Sequence, residues 1–221
     1  IYILAVSILF LRVYRLPSPP ILRSQNPLGF YRSLKGMGAP IWWISLSWLW
    51  YNAGFVSFAT FSPPFFIQRG YSLEQSGHLI GIPLLGSLFL SPLIGYIVDR
   101  LRNQEWLIGI GGFILCLLTL LFNVSSSFLL LVIVMGIFSA LIPSPIYSIP
   151  PEILKPENVG VGFGILSTCS SVGLFVAPYL VGKVKDITGS YEWSFILISL
   201  FFLLVTIFIF LTYLFRPPKS P

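Results

Sequence analysis

The chain has 221 residues, of which 56% are apolar and 9% charged, against roughly 25% charged in an average soluble domain, which excludes a soluble globular fold. Thirteen Lys and Arg against seven Asp and Glu give a formal charge of +6, but the basic residues scatter over connecting segments and form no patch of the kind that binds nucleic acid. The charges divide the chain into uncharged windows at 36–68, 75–98, 106–151, 158–182 and 193–215. A bilayer core about 30 Å thick needs about 20 helical residues per crossing. Four windows therefore hold one span each, and the longest holds two, separated by the polar run 123–127. The expected fold is all-α, a polytopic transmembrane helix bundle of six complete spans: A (41–67), B (77–98), C (106–122), D (128–149), E (159–182) and F (193–215).

In chain order, residues 1–14 open on an apolar run that stops at Arg12, about half the length of a span. They read as the end of a truncated transmembrane helix, so the chain is expected to be a fragment of a longer membrane protein. A signal peptide is the competing reading, but no basic segment precedes the run and no small-residue cleavage site follows it. Residues 15–40 form a long polar connection, broken by Pro17, Pro19, Pro20 and Pro27, and are expected to be a cytoplasmic loop. With loops assigned alternately, one side of the membrane collects Arg12, Arg15, Arg23, Arg32, Lys35, Arg100, Arg102, Lys155, Arg216 and Lys219. The other collects Arg69, Lys183 and Lys185. The excess of positive charge places the first group, and the tail 216–221, in the cytoplasm.

Span A is the most polar of the six. Ser45, Trp48, Tyr51 and Asn52 share one helical face, and two large aromatics with an amide suit a cavity wall that stacks on and hydrogen-bonds an organic solute. Trp42 and Trp43, nearer the end of the span, suit an interfacial belt. Span B carries Gly77, Gly81 and Gly86, and span E carries Gly160, Gly164, Gly173 and Gly182. Such residues let helices approach closely and slide, as in a moving interface, and they serve static helix contacts equally well. In span D, Ser139, Pro143 and Tyr147 recur every four residues on one face, where Ser139 and Tyr147 would add to the cavity. Pro143 and Pro145 predict a kink. Span F has neither Gly nor Pro, as expected of a helix facing lipid.

An offset of 87 aligns Gly77 with Gly164, Gly86 with Gly173, Leu93 with Leu180, Gly95 with Gly182 and Asp99 with Asp186. Span B then resembles span E, and because the two run in opposite directions the bundle is expected to be an inverted 3+3 repeat, the building unit of many secondary carriers. The residues of catalysis are missing. His78 is the single histidine, Cys116 and Cys169 fall inside spans, and no span contains a carboxylate. There is no raw material for a metal site or an acid–base pair, so no enzyme is expected. No glycine-rich phosphate loop occurs, so no nucleotide or other cofactor is expected, and no intramembrane acid could carry a proton.

Two stretches carry a resemblance. Gly95-Tyr96-Ile97-Val98-Asp99-Arg100-Leu101-Arg102 resembles the loop signature of the major facilitator superfamily, from which Arg102 and Asn103 depart by standing where that signature has Gly and Arg. Pro151-Glu152, Gly160 to Gly164, Pro178, Gly182 and the run from Asp186 to Tyr191 resemble the tenth and eleventh helices of the same superfamily. The resemblance covers the chain as a C-terminal half: 1–14 as the end of helix six, 15–40 as the central loop, 41–215 as the six-helix C-terminal domain, helices seven to twelve. It implies a secondary transporter of a small organic solute that works by alternating access in the plasma or inner membrane, with a missing N-terminal six-helix half as partner. Spans A and D would line the cavity, and B and E would form gating contacts. Gly95, Asp99 and Arg100 would form a cytoplasmic gating loop. The alternative is a non-transporting membrane protein, a receptor or assembly subunit, on the same helices.

Overall fold

Among the described residues, seven helices are built from the apolar windows, and their ends follow local capping chemistry. They are seen in a computed structural model that describes residues 34, 36–98, 100, 103–125 and 127–216. The chain divides into compact units 1–35 and 36–221, and all seven helices belong to the second. The truncated helix expected over 1–14, most of the loop expected over 15–40, Asp99, Arg102 and residues 217–221 lie outside the described residues.

Helix α1 (Ala39–Gln68) begins with a proline in its first turn, where the missing N–H costs nothing. It ends before Gly70, whose φ of 92° is open to glycine at no steric cost. Helix α2 (Leu73–Val98) opens on a reciprocal cap: the Ser72 N–H donates to Gln75 Oε1 at 2.9 Å, and the Gln75 N–H donates to Ser72 Oγ at 3.1 Å. Helix α3 (Glu105–Leu121) and helix α4 (Phe128–Ser139) follow. Helix α5 (Pro143–Ile153) leads through a 3₁₀ turn at Pro156–Asn158 into helix α6 (Val159–Thr188). Gly189, at φ 70°, closes α6 by donating its N–H to the Lys185 carbonyl at 2.8 Å. Helix α7 (Tyr191–Phe215) is capped by the Ser190 hydroxyl, which accepts from the Glu192 N–H at 3.0 Å.

Among the described residues, four segments are long and apolar enough to cross a membrane: α2, the run Phe128–Ile153 that contains α4 and α5, the run Pro156–Thr188 that contains α6, and α7. At 17 residues α3 is shorter. Helix α1 has the length, but its Ser, Trp, Tyr and Asn side chains make it less apolar. Span D departs from expectation. Instead of one kinked helix over 128–149, the chain leaves α4 at Ala140, turns through Leu141 and Ile142, and starts α5 at Pro143. Pro143 and Pro145 bring no N–H to the carbonyls four residues earlier, so the helix loses two of three consecutive bonds and separates.

Helix α1 packs most extensively against α6 and α7, α7 also against α3, and α2 against α4. Glycines mark the closest crossings. Gly86 of α2 faces Gly136 of α4, with room for no more than hydrogen between the two backbones, and Gly173 of α6 lies against the Leu49 carbonyl of α1. Gly112 of α3 lies against Thr206 and the Phe202 carbonyl of α7. At the end of the bundle where α1 and α3 finish and α4 and α7 begin, Phe65, Phe66, Phe122, Phe128 and Phe195 form a buried aromatic core. Phe122 stacks on Phe195 at 5.6 Å, and Phe65 tilts onto Phe195 at 4.6 Å. Each such pair adds about 0.5–1.5 kcal/mol beyond the area it buries, which matters inside a bilayer, where burial itself is a weak force between helices.

Candidate functional site

The break in span D positions the site. Tyr51, half-way along α1, donates its hydroxyl to the Ser139 carbonyl at 3.2 Å. That carbonyl is the one whose helical partner would be the N–H of residue 143, which is proline. A side chain from α1 thus supplies to the Ser139 carbonyl the donor that Pro143 withholds.

Around this bond the aromatic residues of α1 and α5 converge. Trp48 stacks on Tyr51 with centroids 5.2 Å apart and planes 12° off parallel, and Tyr147 of α5 meets Trp48 edge-on at 5.4 Å. The row continues to Phe55 on one side, 5.7 Å from Tyr51, and to Phe163 of α6 on the other, 6.2 Å from Tyr147. Trp48 and Tyr51 are buried and Tyr147 is exposed, so the row has a closed inner wall and an open lip. Trp48, Tyr51, Ser139 and Tyr147, four of the six expected cavity residues, are brought together.

Their polar atoms are less free than the sequence reading expects. Ser45 Oγ donates to the Ile41 carbonyl at 2.7 Å, Asn52 Nδ2 to the Trp48 carbonyl at 2.8 Å, and Ser139 Oγ to the Gly136 carbonyl at 3.0 Å. Each bond stays within one helix, and Ser45 and Ser139 are fully buried. The arrangement offers aromatic faces and, among the described residues, no charged side chain. Phe55 was discoverable, since it follows Tyr51 by four residues on the same face. Phe163 lies among the glycines of span E and carries no such signal.

The glycines of spans B and E divide. Gly86 and Gly173 sit at helix crossings and Gly182 lies against Phe61, whereas a Cβ at Gly77, Gly81, Gly160 or Gly164 would meet nothing within 4 Å among the described residues. Helix contacts expected at these four are not made within this structure, because they face away from the neighbouring helices. In the expected gating loop, Gly95 sits 3.4 Å, measured from its Cβ position, from Ser144 Oγ of α5. Arg100 bonds the Tyr96 hydroxyl and holds its guanidinium 4.1 Å from the Tyr96 ring.

A polar cluster absent from the sequence reading lies at the same end of the bundle. Arg216, after α7, pairs with Glu105 of α3 and Glu152 of α5. Gln104 Nε2 donates to Glu152 at 3.1 Å and Gln104 Oε1 accepts from Ser148. The residues that bond one another in it are 44 to 111 apart in the chain, so no local pattern could have shown it. Among the described residues, no three of His, Cys, Asp and Glu come close enough to hold a metal ion.

Comparison with known proteins agrees with this helical architecture. Residues 74–221, well over half of the chain, match the family described as Major Facilitator Superfamily. A "Probable nitrate transporter" of Staphylococcus epidermidis is 29% identical over 161 residues, 69% of this chain and 41% of its own length. A "Putative tartrate transporter" of Agrobacterium vitis is 22% identical over 144 residues, 63% of this chain and 32% of its own length. The matched part thus spans well under half the length of these relatives.

Proposed function

The chain belongs to the Major Facilitator Superfamily, a family of membrane transporters and not of enzymes, and from that premise we propose that it forms the C-terminal six-helix half of a secondary transporter of a small organic solute. Residues 41–215 make up that half, with all six spans crossing the bilayer and the C-terminus in the cytoplasm, as the charge asymmetry favours. The carrying observation is the row Tyr51–Trp48–Tyr147 at the broken span D. It combines aromatic faces and a non-helical turn, and non-helical backbone at membrane depth is tolerated where it borders a cavity.

Two features support an inverted repeat. The close crossings at Gly86 and Gly173, which the offset of 87 aligns, join α2 to α4 and α6 to α1. Exchanging the first three spans for the last three turns one crossing into the other. The outward faces of α2 and α6, with Gly77, Gly81, Gly160 and Gly164 in open space, are where an N-terminal six-helix half would dock and slide. Asp99 and Arg100 would close the cytoplasmic side of that contact.

The names of the relatives make tartrate and nitrate the first solutes to test. In proteoliposomes containing the full-length transporter, Trp48→Ala and Tyr147→Ala should raise KM for the transported solute about tenfold or more, the effect of losing about 1.4 kcal/mol of binding, while inserted protein stays constant. Unchanged kinetics in both variants would remove the cavity assignment. Absence of uptake of any small solute by the wild type would favour a receptor or assembly role.

A further inference from the structure

Tyr51 accepts as well as donates. Its hydroxyl proton goes to the Ser139 carbonyl at 3.2 Å, which leaves the lone pairs of the same oxygen able to accept. The Ser87 side chain of α2 hydrogen-bonds that hydroxyl. With the phenol proton already committed, Ser87 is the donor. A chain of two hydrogen bonds therefore runs from α2 through α1 to the end of α4, and each bond polarises the next.

Several hydroxyls of the spans stay within their own helix: Ser45, Ser91, Thr119 and Ser171 each donate to the carbonyl four residues back. Ser87 reaches a ring of the aromatic row. Its place is fixed by main chain, because a Cβ on its neighbour Gly86 would come within 3.1 Å of the Gly136 Cα in α4. Ser139 follows Gly136 by three residues, less than one turn. On its other side α2 is less firmly built. Pro92 brings no N–H to the Leu88 carbonyl, and Ser91 Oγ donates to the Ser87 carbonyl at 2.5 Å, a type of bond that favours bending. Ser87 thus lies between a crossing locked by backbone and a stretch that lacks a rung, beyond which come Gly95 and Arg100.

The bond matters because of what the phenol ring supports. Trp48 stacks on Tyr51 at 5.2 Å, and Tyr147 meets Trp48 edge-on at 5.4 Å. A swing of the Tyr51 ring would disturb the rings that follow it. One bond to the hydroxyl leaves the ring able to pivot about that bond. Two bonds from different helices remove the pivot.

We propose that Ser87 is a positioning residue of the solute site: by donating to the Tyr51 hydroxyl it fixes the plane of the aromatic row and ties that row to α2. The inference rests on the reading of the row as the solute site. It adds a link from the cavity wall to the helix that leads into the gating loop.

The test uses the full-length transporter in proteoliposomes with tartrate and nitrate, together with 3-fluorotyrosine in place of Tyr51, whose fluorine NMR signal needs no transport. Ser87→Ala should raise KM about two- to tenfold, the range of one net hydrogen bond, with kcat and inserted protein unchanged, and should broaden or split the fluorine resonance. Ser87→Thr, which keeps the hydroxyl, should restore both. In a Tyr51→Phe background Ser87→Ala should add nothing to KM. A merely structural role would lower inserted protein and kcat together and leave KM alone. That pattern, or a wild-type KM with an unsplit resonance in Ser87→Ala, overturns the proposal. Unchanged KM in both Trp48→Ala and Tyr147→Ala removes the solute site and the proposal with it, whatever the fluorine signal says of the ring. If the wild type takes up neither solute, the fluorine resonance alone decides whether Ser87 holds the row.

Discussion

Tyr51 shows how one side chain can take over a role that the backbone has lost. Its hydroxyl reaches the Ser139 carbonyl, which Pro143 leaves without a helical donor. The two residues should therefore be coupled. Tyr51→Phe should lower the stability of the purified full-length protein by about 0.5–1.5 kcal/mol, the usual net worth of such a bond. In a Pro143→Ala background, where residue 143 again has an N–H, the same substitution should cost close to nothing. A double-mutant cycle by thermal unfolding reads this coupling directly, and strictly additive shifts would falsify the pairing. Helical periodicity alone places Tyr51 on a face with Trp48. It cannot tell that the hydroxyl is committed to backbone across the bundle, because a helical wheel has no partner on it.

At the scale of elements, the helices are set by where backbones touch. A Cβ at Gly173 would collide with the Leu49 carbonyl of α1, and one at Gly86 would press on the backbone of Gly136 in α4. In both cases the obstacle is main chain, which cannot step aside as a flexible side chain can. Gly173→Val and Gly86→Val should each destabilise the bundle by about 1–3 kcal/mol or more, visible as a lower unfolding temperature and reduced yield of membrane-inserted protein. Unchanged unfolding temperatures would mean that the crossings are looser than the structure has them. The positions of the spans follow from the spacing of charges, and the break in span D follows from its two prolines. The crossings at Gly111, Gly112 and Gly136 do not, since a small residue marks a possible contact while the crossing angle of the partner helix decides whether it is used.

Across the whole molecule, one guanidinium ties together segments far apart in the chain. The Arg216 side chain is 9% exposed, and it holds a carboxylate of α3 and another of α5. Removing one partner from so enclosed a group leaves uncompensated charge behind, at a cost of about 3–5 kcal/mol for a fully buried pair. Because Glu152 is partly exposed, Arg216→Gln should fall at or below the lower end of that range. It should also loosen α5, read as faster amide exchange over 143–153 than in the wild type. Exchange unchanged there would show that α5 is held by its apolar contacts alone. From sequence, Arg216 is assigned only to a side of the membrane, because charge asymmetry is visible one residue at a time and an ion cluster is not.

The same cluster imposes an order on biosynthesis. Glu105 and Glu152 are made before Arg216, which pairs with both and follows only after α7 is complete. Until then Glu105 of α3 lacks the guanidinium it meets in the folded bundle. A chain stopped just before Arg216 would keep the helices α1 to α7 and still lack the cation that fastens α3 to α5.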